Sequence, residues 1–314
     1  MEADGRPPGL DGDVIVHNTD EHPEKQGDHQ HKLEKNRGND NADVGVNKQR
    51  YYNVTVHYSV SFKKLCMVTV ACPFFALVIC FVTAYIFQYD DIHETHCRVY
   101  NIVPSISAIT GVSPQRYLWR ASVALHLGPR YIIAAVYRAY QQNLINQNAD
   151  YSVKTKANFW LDLAFWLNVV EVTALGGVTY ISNLENYPVH EKLFIVFMVT
   201  SLFHMVACIK AAQIVAISND NVEAAQTELF YKKFLFYLSI ACTIGMIVFF
   251  LKHRLLCHNM AFSWFAICEY VVATANMAFH LTLVYNFPNE RVVVANGLHP
   301  CEERTPARHK RKPD

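Results

Sequence analysis

Within residues 116–130 three arginines and a histidine interrupt an apolar run that continues to Tyr140. At about 100° per residue, Arg116, Arg120, His126 and Arg130 share an arc of about 120° on a helix. Guanidinium groups on one face suit a phosphate, which they grip through charge-assisted, often bidentate hydrogen bonds. A second polar stripe, Glu269, Asn276 and His280, falls within about 40° on an otherwise Val/Ala/Phe-rich helix. Asn168 and Glu171 stand at i, i+3, and Thr200 and His204 at i, i+4. A histidine polarised by Glu171 or Glu269 could deprotonate a lipid hydroxyl for acyl transfer. The candidate base is thus His126, His204 or His280, with Asn168 and Asn276 as polar contacts. No Gly-x-Ser-x-Gly elbow, His-x-x-x-x-Asp signature or catalytic-type cysteine motif accompanies them, so residue types alone do not establish catalysis.

The elements that must position these groups are membrane helices. Of the 314 residues 52% are hydrophobic, the net charge is +1, and the stretch from Leu65 to Phe287 is mostly apolar. Six segments (65–87, 117–140, 159–181, 193–212, 230–251 and 262–285) each offer the roughly 20 residues that cross a bilayer. The expectation is an all-α, six-span bundle over 63–287. A polar tail over 1–62 precedes it and a basic tail over 288–314 follows. Residues 51–62 alternate weakly and suit a short interfacial strand or helix. The tail histidines His17, His22, His29 and His31 are irregularly spaced with no cysteine among them, so no metal site is expected. Balanced charge without a basic, aromatic-laced stretch argues against nucleic acid.

Basic residues orient the bundle. Lys63 and Lys64, Arg138, Lys154 and Lys156, Lys232 and Lys233, and the tail from Arg304 to Lys312 lie on one side. The other side carries only Arg98, Arg116, Lys192, Lys252 and Arg254. Both termini are therefore expected in the cytosol. Of nine cysteines, only Cys97 and Cys257 then fall in lumenal loops, where oxidation is allowed, and a disulfide between them is expected. The sequon Asn53-Val54-Thr55 would stay unused on the cytosolic side.

Charges within spans are expensive and normally face the bundle interior. Arg120, Glu171 and Glu269 sit at compatible depths by the rise per residue, so spans two, three and six are expected to close a cationic–acidic cluster. Each group also has a plainer reading. Arg130 with Glu171 reads equally as a structural ion pair, Arg116 as a snorkelling side chain, His204 as a satisfied interior histidine and Asn276 as an interhelical hydrogen bond.

Several stretches resemble the post-GPI-attachment-to-proteins factor 2 family of the Frag/DRAM/Sfk group. They include Thr95-His96-Cys97 with 101–107, Pro114–Arg120 leading to Leu125-His126 and Pro129-Arg130, and Leu167–Glu171. Ser201–Met205, Phe265–Tyr270 and Thr274–His280 continue the series. The resemblance spans about 65–285. It implies a Golgi or endoplasmic-reticulum membrane protein that remodels glycosylphosphatidylinositol (GPI) anchors, restoring a saturated fatty acid to lyso-GPI. The ligands it implies are a GPI lipid or GPI-anchored protein, with acyl-CoA or a phospholipid as acyl donor and no resident cofactor. Whether the chain catalyses the reacylation or assists a partner acyltransferase stays open. The rival is a non-enzymatic lipid-binding scaffold or transport adaptor. A channel or transporter is disfavoured, for no inverted repeat is visible. Arg311-Lys312-Pro313-Asp314 resembles a dibasic retrieval signal and equally reads as a solvated basic tail.

Overall fold

The computed structural model describes residues 55–148, 150–216, 222–285, 287 and 289–296. Most of the expected amino-terminal tail, Asn53 of the sequon, and the basic tail with Arg311 and Lys312 lie outside the described residues. The weakly alternating stretch forms a strand, β1 (Thr55–Ser61), which pairs with β2 (Arg291–Asn296) in a two-stranded sheet.

Helix α1 (Phe62–Phe87) follows, and Phe62 donates its N–H to the Glu290 carbonyl at 3.0 Å. Two short helices, α2 (Tyr89–His93) and α3 (Ile106–Gly111), occupy the connection to α4 (Gln115–Asn148). Then come α5 (Tyr151–Tyr180), α6 (Tyr187–Val215), α7 (Val222–Leu256) and α8 (Ala261–Leu281), with a 3-10 turn over Thr282–Tyr285. Local chemistry sets several starts. Ser105 caps α3 by accepting from the Ala108 N–H at 3.2 Å, and Asn186 caps α6 through Val189 at 3.3 Å. Pro188 sits in the first turn of α6, where a missing N–H costs nothing.

Among the described residues, five helices are long and apolar enough to cross a membrane: Phe62–Phe87, Tyr151–Tyr180, Tyr187–Val215, Ala225–Leu256 and Ala261–Tyr285. The chain is therefore a multi-pass membrane protein. The remaining expected span, 117–140, lies inside α4. That helix is 34 residues long, but Arg116, Arg120, Arg130 and Arg138 remove it from the purely apolar class.

Large apolar side chains cover the outside of the bundle, and charged and polar groups are buried among its apolar core. Phe75, Phe203, Phe230 and Trp264 are exposed, while Arg130, Glu171, Lys232 and His204 are buried. That inversion suits a hydrocarbon solvent. Small residues bring the helices close. A Cβ on Gly176 would stand 3.1 Å from Leu127 of α4, and one on Gly177 would stand 3.0 Å from Leu193 of α6. At one end of the bundle Cys97 and Cys257 form the expected disulfide, with Cα atoms 5.4 Å apart. The cysteines of the spans are free.

Candidate functional site

The site is assembled around Arg130, midway along α4 and 4% exposed. Its Nη2 lies 2.7 Å from His280 Nε2 on α8 and 3.4 Å from Glu171 Oε1 on α5. Its Nη1 lies 3.3 Å from His126 Nε2, one turn back on α4. Glu171 Oε1 also accepts from Asn276 Nδ2 at 2.9 Å and sits 3.1 Å from His280 Nε2. Asn276 completes its amide by donating to Ser201 Oγ at 2.6 Å. Four helices thus converge on one charge pair. Removing either charge would strand the other in a dry interior, which costs about 3–5 kcal/mol.

Hydrogen-bond partners fix the tautomers of two histidines. His126 Nδ1 faces the Thr69 carbonyl at 2.7 Å, and His204 Nδ1 faces the Ala164 carbonyl at 2.9 Å. A carbonyl only accepts, so Nδ1 carries the proton in both rings and leaves Nε2 as a base in the neutral form. His126 spends its Nε2 on Arg130. His204 Nε2 instead faces Asn168 Nδ2 and Cys208 Sγ, each at 3.4 Å, and its ring stacks on His280 at 5.2 Å between centroids. Two oxygens in this network are unused: Glu171 Oε2 and Asn168 Oδ1 are buried without a partner.

Two cavities adjoin the cluster, and Arg130 lines both. The larger, about 100 Å³, extends toward the disulfide end between Trp119, His190, Phe194, Glu269 and Asn276. The smaller, about 30 Å³, extends toward the opposite end between Tyr137, Arg138, Asn168, His204 and Cys208. Both walls are mainly apolar, with a few convergent polar groups, as in a site for an amphiphile.

The expected cluster of spans two, three and six is therefore present, but with different members. Arg120 does not reach Glu171 or Glu269. Its Nη2 pairs with Glu185 at 2.5 Å and donates to the Tyr180 carbonyl at 2.8 Å, and Arg116 lies 3.8 Å from the same Glu185. For Glu171 the reason is depth: ten residues separate Arg120 from Arg130, which is about 15 Å along a helix. Glu185, in the turn between α5 and α6, is held down to about 2. It accepts from the backbone N–H and the hydroxyl of Ser182, and Arg120 donates to it. Glu269 is also outside the ionic cluster. Its Oε2 accepts from the Ile106 N–H at 2.8 Å, which seats α3 over the larger cavity. Ser107 and His190, 2.9 Å apart, hold the other side of α3. His126, Glu171, His204, His280, Asn168 and Asn276 come together with Arg130 as the helical stripes require.

Glu171, His204 and His280 each offer one ligand atom, all within 4.8 Å of one another, a set that a zinc-class ion could use. Arg130 already stands among them as the cation balancing Glu171. Sequence reasoning missed Ser201, the backbone acceptors Thr69 and Ala164, and Cys208. Of these only Cys208 had a signal, its i+4 spacing from His204.

The fold and site define a multi-pass membrane bundle with a buried Arg–Glu–His centre between two cavities. The profile of the Frag1/DRAM/Sfk1/Cwh43P N-terminal domain matches residues 61–290, and the chain belongs to that family. A Drosophila melanogaster protein, "Post-GPI attachment to proteins factor 2-like", is 52% identical over 244 residues, which are 78% of this chain and 75% of that one. "Acyltransferase PGAP2" of Xenopus tropicalis is 31% identical over 76% of this chain and 92% of its own. A Danio rerio protein of the same name is 33% identical over 64% and 84%. No solved structure matches.

Proposed function

We propose that the protein acts in GPI-anchor maturation, reacylating lyso-GPI with a saturated fatty acid in the Golgi or endoplasmic-reticulum membrane. The observation that carries this reading is the Arg130–Glu171–His280 centre, with an unused carboxylate oxygen and a cavity on either side. Acyl transfer to a hydroxyl needs a base, a group that stabilises the developing oxyanion, and exclusion of water. His126, His204 and His280 are the candidate bases, and Glu171 orients His280. Arg130 supplies fixed positive charge where a carbonyl oxygen becomes negative. Asn168 and Asn276 hold polar groups of the substrate. Arg116 and Arg120, at the mouth near the disulfide, contact the head-group phosphate, and Glu269 closes α3 over the lipid. The relatives named for post-GPI attachment and acyltransfer support the same reading.

The arrangement of crossings supports six spans with both termini in the cytosol. Cys97 and Cys257 are bonded, so the chain between them crosses the membrane an even number of times. Helices α5, α6 and α7 account for three crossings, so α4 supplies a fourth despite its arginines. Helices α1 and α8 then carry both ends to the side opposite the bridge, and a bridge favours the oxidising lumen.

Purified protein in liposomes with lyso-GPI and labelled stearoyl-CoA tests the activity, and a second arm replaces the donor with labelled phospholipid. Transfer by the wild type that falls at least 100-fold in Glu171→Gln and His280→Ala marks the chain as the catalyst. A second reading has one observation in its favour: both Nη atoms of Arg130 already have protein partners, His126, Glu171 and His280. On that reading the chain is a lipid-binding scaffold for GPI-anchored proteins or for a partner acyltransferase. Tight lyso-GPI binding without transfer from either donor would establish it.

A further inference from the structure

We propose that Cys208 is the nucleophile that carries the acyl group, forming a thioester with the protein before the lipid receives it. This rests on the acyl-transfer reading above and adds a covalent intermediate to it. Cys208 and His204 lie one turn apart on α6, with Sγ 3.4 Å from Nε2. The Ala164 carbonyl, 2.9 Å from His204 Nδ1, holds the ring in the tautomer whose Nε2 accepts the thiol proton. Nucleophile, base and a third group that orients the base are the arrangement that activates a cysteine for acyl transfer. Both side chains line the smaller cavity beside Arg130.

A second observation marks that cavity as a ligand site. Asn168 lines it, is 6% exposed, and keeps its Oδ1 without a partner. A buried acceptor left bare is a place where a ligand donor belongs, and the hydroxyl of an incoming lipid supplies one. Arg130, shared with the larger cavity, offers donors to the carbonyl oxygen and a route for the lipid to approach from the other side.

The step balances without any further reagent. The thiol gives its proton to His204 Nε2, and Sγ attacks the carbonyl carbon of the acyl donor. The S–C bond forms as the bond to the leaving thiolate or alkoxide breaks, and His204 returns the proton to that group. In the second half the lysolipid hydroxyl gives its proton to His204 and its oxygen attacks the thioester. The C–O bond forms, the S–C bond breaks, and the sulfur takes the proton back.

The test uses full-length protein in liposomes with labelled stearoyl-CoA or labelled phosphatidylcholine, quenched with acid before and after lyso-GPI is added. About one label per chain is expected on the peptide containing Cys208. Neutral hydroxylamine should release it, and lyso-GPI should chase it into lipid. Cys208→Ser and Cys208→Ala should lose the trapped label and at least 100-fold of transfer, with thermal unfolding reporting that each variant is folded. Cys242→Ala, a thiol outside both cavities, should keep both. Wild-type transfer rates in folded Cys208→Ser, or label trapped elsewhere, would overturn the cysteine step and leave acyl transfer standing. A wild-type protein that moves no label from either donor would remove the acyl-transfer reading itself, and the cysteine step with it.

Discussion

Arg130 and Glu171 are the pair on which the interior depends, and their neutral replacements separate charge from shape. Glu171→Gln keeps the volume and the bond to Asn276 but leaves the guanidinium uncompensated. Denaturant unfolding in detergent should show a loss of about 3–5 kcal/mol. Adding Arg130→Met to that variant should recover much of the stability, because no unpaired charge is then left in the interior, while lipid transfer stays absent. Glu185 makes a prediction in pH. Its carboxyl is drawn from the ordinary 4.5 down to about 2 by Ser182 and Arg120. A depressed value means the ionised form is favoured by folding, so its contribution is complete above about 4.5 and disappears as the pH falls toward 2. Glu185→Gln should therefore flatten the acid limb of a stability-versus-pH curve in that window and leave the neutral range parallel to wild type. These two carboxylates also show what could be read from residue types. The stripe through Arg130 and the stripe through Glu269, Asn276 and His280 announced a polar interior, because no other arrangement tolerates them. The partner of Arg120 was illegible, since helical spacing gives the face of a side chain and not which turn of chain arrives at its depth. Glu185 lies in such a turn, and nothing local distinguishes it from Glu191.

At the scale of elements, close approach of α5 to its neighbours depends on the absence of side chains at Gly176 and Gly177. Even a Cβ at Gly177 would press on Leu193 at 3.0 Å. Gly177→Ile should thus overpack the α5–α6 seam and destabilise by about 1–3 kcal/mol, measured as a lower unfolding temperature with the disulfide intact. Replacing Cys97 and Cys257 by serine should cost about 2–5 kcal/mol, because the bridge closes a loop spanning 160 positions. Non-reducing and reducing gels should show different mobility for wild type only. Each expected apolar run falls on one long helix, but α4, α5 and α7 extend eight residues past it at one end, because an apolar run marks only the part of a helix that meets hydrocarbon. Helix α4 was the difficult case. Its arginines look disqualifying in isolation and become acceptable once Glu185, Glu171 and Asp162 meet them from α5 and its flanking turn.

For the whole molecule, the proposed six-crossing arrangement predicts where sugars attach. A glycosylation sequon placed between α2 and α3 should acquire glycan, whereas one in the connection around residue 149 should not; the opposite pattern would reverse the proposed orientation. Order of synthesis gives the charged centre a further meaning. Arg130 and Glu171 emerge from the ribosome long before Asn276 and His280, so the early helices enter the bilayer holding a pair that only the last helix can finish enclosing. A chain truncated ahead of α8 should therefore leave the pair short of Asn276 and His280, and should unfold in detergent at a lower temperature than the full-length protein.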